Sequence, residues 1–211
     1  MPDKVWHTEV ITAEAGNILR DLGGEDYMKP FYLAGGTALA LHMGHRKSVD
    51  LDFFSVRTFN EDTLLSKVQA LPDFSLVAKD SQTLHCHVQT VKVSFIGYAY
   101  PVLAPFTALS GISIADPIDI ACMKISAIAS RGTKRDFVDL YMMAQGEGLG
   151  TLLGHFQKKF AQANYNLVHV LKSLVYFGDA EKDPMPDMLM SLSWDEVKQF
   201  FLTQVPKITI T

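Results

Sequence analysis

Hydrophobic and polar positions change period several times along the chain. Between residues 8 and 22, Val10, Ile11, Ala15, Ile18, Leu19 and Leu22 recur at the spacing of one helical face, and Gly23-Gly24 stops that helix. Phe31 to Ala34 is a short apolar run that reads as a buried strand. Gly35-Gly36 then permits a tight turn, Thr37 to Met43 reads as a short helix closed by Gly44, and Val49 to Ser55 resumes as strand. Residues 61 to 71 carry Leu64, Leu65, Val68 and Leu71 on one helical side, ended by Pro72. Three alternating segments, 74 to 78, 84 to 88 and 91 to 96, predict an antiparallel meander. Tyr98 to Ser110 reads as proline-punctuated loop and Ile112 to Ile114 as a short strand. Asp116-Pro117 then opens a helix, apolar almost all round from Ile118 to Ala129, that Gly132 breaks. Further helices begin at Lys134 and run at about 149 to 162, 165 to 177 and 194 to 204, the last behind the capping-box pattern Ser193-Trp194-Asp195-Glu196.

This pattern divides the chain into an α/β part, residues 1–115, and a helical part, residues 116–211. Within the first, alternation turns Val49, Leu51 and Phe53 to the core and places Asp50 and Asp52 together on the opposite face. Neighbouring carboxylates repel unless a cation lies between them, and hard oxygen ligands suit Mg²⁺ or Mn²⁺. Two solvated aspartates at a sheet edge are the alternative. The helix after Gly35-Gly36 directs its free amides and positive dipole end above the turn, with the Thr37 hydroxyl as cap or phosphate ligand. In the second part Lys124 interrupts an apolar helix, so it either snorkels to water or meets an anion. Arg135 and Asp139 stand four apart and Asp136 and Asp139 three apart, which allows an intrahelical Arg–Asp brace.

Composition narrows the classes. With 48% hydrophobic residues the chain buries a core and is not disordered, and no run of about eighteen apolar residues or signal-peptide pattern occurs, so a soluble cytoplasmic protein without membrane association is expected. The formal charge of −4 provides no global attraction for nucleic acid. Basic residues are grouped locally at His45-Arg46-Lys47 and Arg131 to Arg135, beside the candidate site, while Lys158-Lys159 reads as solvated surface charge. His85 and His87 share a strand face that excludes Cys86, which argues against a zinc site, and the two cysteines read as buried free thiols. No P-loop, Gly-x-Gly-x-x-Gly, Gly-x-Ser-x-Gly or His-Glu-x-x-His motif is present. A glycine turn with paired aspartates and a buried lysine leaves metal-dependent phosphoryl or nucleotidyl transfer.

Gly35-Gly36-Thr37, twelve residues, then Asp50-x-Asp52 resembles the signature of the polymerase-β-like nucleotidyltransferase superfamily. His45-Arg46-x-Ser48-x-Asp50-x-Asp52-Phe53-Phe54, with Asp119-x4-Lys124 and Arg135-Asp136-x2-Asp139 downstream, is similar to the AbiEii/AbiGii toxin family of nucleotidyltransferase-like proteins. The resemblance implies an α+β (mixed α/β) fold: a nucleotidyltransferase-type mixed sheet flanked by helices, followed by a helical C-terminal region. It implies transfer of a nucleotide from a nucleoside triphosphate to an acceptor such as the 3′ end of tRNA, in a toxin–antitoxin or phage-defence setting with a winged-helix repressor as antitoxin. By matched position, Gly35, Gly36, Thr37, Arg46, Ser48 and Lys124 meet the nucleotide and Asp50 and Asp52 hold Mg²⁺ or Mn²⁺. Asp136 assists at the nucleophile or completes the acidic site, and Arg135 and Asp139 brace. Superfamily members usually carry a third acidic residue on a later strand, where this chain has Ser94. A catalytically weak or inactive nucleotide-binding or interaction module is therefore the alternative.

Overall fold

The structure is a computed structural model that describes residues 4–209; the first three and last two residues lie outside it. The chain divides after Asp116 into two compact units.

The first unit is built on one mixed sheet of seven strands. In chain order these are β1 (Tyr32–Ala34), β2 (Leu51–Ser55), β3 (Phe74–Asp80), β4 (Thr83–Val88), β5 (Val91–Gly97), β6 (Thr107–Leu109) and β7 (Ile112–Ile114), arranged β3-β4-β5-β2-β1-β7-β6. β3, β4 and β5 form the expected antiparallel meander; β5 then joins β2 in parallel, and β2 pairs antiparallel with β1. Register puts Leu51 beside Val93, Phe53 beside Phe95, and Leu84 and Cys86 beside Phe95 and Val93, and all six are fully buried. The intervening residues therefore share the other face. There Asp52 lies between Ala34 and Ser94, with His85 beyond Ser94, and Phe54 lies beside Tyr32 and Ile96. Helices α1 (Ala13–Gly23), α2 (Gly35–Met43) and α3 (Glu61–Val68) complete the unit.

Local expectations change: the helix expected over residues 8–22 begins only at Ala13, behind a 3-10 turn at Thr8–Val10. Val49 is 52% exposed, because the strand begins only at Leu51 and residues 48–50 form no ladder. The segment read as loop up to Ser110 contains β6, a three-residue strand folded back on β7 through Ser110-Gly111, both with left-handed backbone.

In the second unit, α4 (Pro117–Ser130) packs against α5 (Lys134–Glu147), α6 (Leu149–Lys159) and α7 (Leu167–Ser173), and α8 (Trp194–Gln204) packs on α5. Ile120, Ala121, Cys122, Ile125 and Ile128 are buried around much of α4, as expected of a central helix. Phe137 of α5 anchors α8: its ring lies 5.8 Å from Trp194 and 5.4 Å from Phe201. The Ser193–Glu196 capping box that opens α8 forms, with Ser193 N donating to Glu196 Oε2 at 2.8 Å.

Candidate functional site

The site in the first unit grows out of the turn between β1 and α2. Ala34 is extended and Gly35 enters the left-handed region at φ +69°, so the chain turns from strand into helix within one residue. A side chain at Gly35 would also place its Cβ 3.5 Å from Asp52 Oδ2. At Gly36 the constraint is contact: a Cβ there would run into Arg46 Nη2 and lie 3.4 Å from its Cζ. Arg46 is 3% exposed and donates from Nη1 to the Lys47 carbonyl at 3.0 Å, which holds its guanidinium against the start of α2. Thr37 Oγ1 lies 2.7 Å from Ser48 Oγ and donates to the main-chain carbonyl of Asp50, tying the first helical turn to the segment that leads into β2. Gly35, Gly36, Thr37, Arg46, Ser48 and Asp52 thus gather in one wall, amides and a guanidinium at one end and the Asp52 carboxylate at the other; Asp50, one residue before β2 begins, joins it through its main-chain carbonyl. A helix start beside a guanidinium is suited to an anion, and a carboxylate to a divalent cation. Among the described residues no cluster of three or more His, Cys, Asp or Glu is arranged to hold a metal ion.

Beneath this wall, His42 in the last turn of α2 meets the Ala115 carbonyl through Nε2 at 2.8 Å. Burial pushes its pKa down to about 4, overcoming that hydrogen bond.

A second constellation forms within the helical unit. Lys124 Nζ lies 2.9 Å from Asp136 Oδ1 and 2.7 Å from Asp139 Oδ2, and the three side chains are 9%, 8% and 0% exposed. Burial works against the ammonium, but the attraction of Asp139 and Asp136 and their hydrogen bonds raise its pKa above the usual lysine value, so it stays charged. Asp136 Oδ2 also accepts from Thr133 Oγ1 at 2.6 Å and from Thr133 N at 3.4 Å, the capping arrangement of α5. The anion expected near Lys124 is therefore a pair of carboxylates from the neighbouring helix. Asp139 braces, its partner being Lys124, and Arg135 is exposed on α5.

Lys159, read from sequence as surface charge, is 2% exposed and donates to Asp119 Oδ1 at 2.6 Å. The signal that reveals it is helical phase: Leu149, Leu152, Leu153 and Phe156 form the buried stripe of α6, and Lys159 follows Phe156 by three. Cys86 and Cys122 are free and buried, with burial pushing their thiols up to about 11 and about 12.

With this geometry in hand, comparison with known proteins decides the family. The family model described as nucleotidyl transferase AbiEii toxin, type IV TA system, matches residues 17–95 and 89–209. The chain belongs to the AbiEii family. An uncharacterized protein of Aquifex aeolicus (strain VF5) is 38% identical over 181 residues, covering 83% of this chain and 86% of that one. Among solved structures, MenT4, a nucleotidyltransferase toxin of Mycobacterium tuberculosis H37Rv, aligns over 94% of this chain and 87% of its own at 14% identity, with a TM-score of 0.58. JHP933 from Helicobacter pylori aligns over 93% of this chain and 92% of its own at 20% identity, with a TM-score of 0.55. Both likenesses establish the mixed-sheet fold. As an AbiEii family member the chain is an enzyme, a nucleotidyltransferase of a toxin family, and no helix among the described residues is long and apolar enough to cross a membrane.

Proposed function

We propose that this AbiEii protein transfers a nucleotide from a nucleoside triphosphate to a hydroxyl of RNA, such as the 3′ end of tRNA, with Mg²⁺ or Mn²⁺ held by Asp50 and Asp52. The observation that carries the reading is the wall running from Gly36 and Arg46 to Asp52, which offers donors to phosphate at one end and a hard anion at the other. The donor set suits the metal: Mg²⁺ commonly takes one or two carboxylates and fills its remaining positions with water and substrate phosphate. Once bound, the ion offsets charge on the phosphate oxygens.

The protein groups orient the reaction. The first amides of α2, with Arg46 and Thr37, hold the triphosphate, and Ser48 fixes Thr37. Lys124, its ammonium taken by Asp136 and Asp139, ties α4 to α5. Asp136 has its carboxylate engaged by Lys124 and Thr133 and acts by positioning, as does Asp139. The acceptor oxygen attacks the α-phosphorus, a P–O bond forms, the bond from that phosphorus to the bridging oxygen breaks, and pyrophosphate leaves.

The family's description as part of a toxin–antitoxin system supports a cognate antitoxin, which we place as a winged-helix repressor, with both proteins in the cytoplasm. Incubation of the protein with each α-³²P-labelled nucleoside triphosphate, Mg²⁺ and total cellular RNA tests the reading. Label is expected to enter an RNA band with the wild type and to be lost with Asp50→Ala/Asp52→Ala. Nucleotide binding without transfer to any RNA identifies the inactive binding module instead.

A further inference from the structure

Strand register places a second polar feature on the catalytic face of the sheet. Asp52 on β2 is paired with Ser94 on β5, and Ser94 is paired with His85 on β4, so the three side chains stand in one row. At the spacing of neighbouring strands, about 4.8 Å, Ser94 lies one step from Asp52 and His85 two steps, roughly 10 Å. Ser94 is 1% exposed, and its Oγ has no hydrogen-bond partner among the described residues. The same holds for His85 Nδ1, which is likewise buried. Buried polar atoms are ordinarily paired, because leaving them unpaired costs the full desolvation of the group. Two such atoms, adjacent across a strand pair and aligned with a candidate metal ligand, mark a place where a ligand completes the bonding.

The ligand's chemistry follows from the two atoms. A serine hydroxyl donates, and a neutral imidazole with its proton on Nε2 accepts at Nδ1. A hydroxyl, of water or of an alcohol, accepts from the first and donates to the second, and the alcohol that nucleotidyl transfer brings is the acceptor. We propose that Ser94 and His85 seat the acceptor hydroxyl of the transfer reaction, and that His85 Nδ1 takes its proton. This rests on the nucleotidyl-transfer reading above. As the acceptor O–H bond breaks, its proton passes to His85, the oxygen forms the new bond to the α-phosphorus, and the electron pair of the breaking bond leaves with pyrophosphate. His85 then returns the proton to solvent. Ser94, which looks like a missing carboxylate, is here the orienting half of a two-residue device, and Asp136 is not required as base.

The charged and titratable groups around His85 are few. Lys92 and Asp52 share its face from β5 and β2, His87 is two residues along β4, and Asp80 is on the same face of β3, where its Oδ1 accepts from Ser81 N. On the opposite face, that of Leu84, α3 carries Glu61 and Asp62, engaged by Gln82 and Lys79. None of those contacts involves Nδ1.

The test measures transfer to RNA as a function of pH for wild type, His85→Gln, Ser94→Ala and His85→Gln/Ser94→Asp, with nucleotide affinity measured separately. His85→Gln is expected to lower kcat by on the order of 10²–10⁴ and to abolish the acidic limb of the kcat profile. Its nucleotide Kd and its circular dichroism spectrum should match those of the wild type. Ser94→Ala should raise KM for RNA more than it lowers kcat, and Ser94→Asp should restore transfer in the His85→Gln background. If His85→Gln transfers within threefold of wild type and keeps the acidic limb, the assignment is overturned while nucleotidyl transfer stands. If Asp52→Ala also transfers like wild type, the parent reading falls, and this one with it.

Discussion

Replacing Lys124 by methionine tests the electrostatics of the helical unit most directly. One ammonium serves two carboxylates there, at 2.9 and 2.7 Å, and none of the three side chains is more than 9% exposed. Breaking a buried ion pair by removing one partner costs about 3–5 kcal/mol, since the remaining charge stays buried without compensation. Lys124→Met takes the cation from two neighbouring carboxylates at once, which sets the expected loss at the upper part of that range. In a chain of this size each kcal/mol moves Tm by about 2–4 °C, so a fall of roughly 10–20 °C is expected. Asp139→Asn, which keeps a one-to-one pair between Lys124 and Asp136, should cost only about 1–3 kcal/mol. The variant also acquires a pH dependence whose sign is determined. With the cation gone, repulsion and burial raise the folded-state pKa of the aspartates above the unfolded value, so the folded state binds more protons and stability falls as pH rises. Urea unfolding at pH 5.5 and pH 8, with the m-value held as a check on the denatured state, measures both effects. A loss below about 1 kcal/mol at pH 8, or a variant more stable at pH 8 than at pH 5.5 relative to wild type, refutes the reasoning.

Other features make independent predictions. Gly36→Ala should drive Arg46 from the start of α2 and raise the nucleotide Kd by about 10–100-fold by calorimetry, the equivalent of one charge-assisted hydrogen bond. His42 is held neutral, so the unfolded state binds the extra proton between its ordinary value of 6.5 and about 4. Thermal stability should therefore decline as pH falls through that window, by about 2 kcal/mol after allowance for partial solvent screening, and His42→Gln should flatten the decline. Lys159→Met should cost about 3–5 kcal/mol in urea by removing the cation beside buried Asp119, and adding Asp119→Leu should recover most of it. Ellman's reagent should label neither cysteine of the native protein and both after unfolding, because burial keeps Cys86 and Cys122 protonated.

What was readable before the structure depended on whether a residue's partner lies within its own periodic element. The face of Asp52 is legible from alternation along Leu51 to Ser55, whereas Asp50 precedes the strand and alternation does not fix it; the Gly35-Gly36 turn is legible from its glycine pair. β6 was not, since three residues behind a proline-punctuated stretch carry too little period to register. Lys124 was legible as an exception in an apolar helix, but its partner was not. Within α5 the four-residue spacing of Arg135 and Asp139 suggests an internal brace, whereas packing of α5 on α4 presents Asp139 to Lys124. Lys159 shows the same limit more sharply, because a Lys-Lys pair reads as solvated until its phase on α6 is set against Phe156.

The row of Asp52, Ser94 and His85 is where local reading and fold diverge with chemical consequence. Along β5 alone, Ser94 is a serine in place of an acid, and the inference is a weakened enzyme. Across the sheet it is the middle member of a row whose outer members are a carboxylate and an imidazole, brought together by one parallel and one antiparallel pairing. No spacing in the sequence encodes that row, because His85 and Asp52 are 33 positions apart and meet only through the order β4-β5-β2. A third carboxylate beside Asp52 would bring one more negative charge to a pair that already repels. Serine brings none, so on the proposed mechanism a bound cation would have less charge to offset before the acceptor oxygen passes its proton to His85.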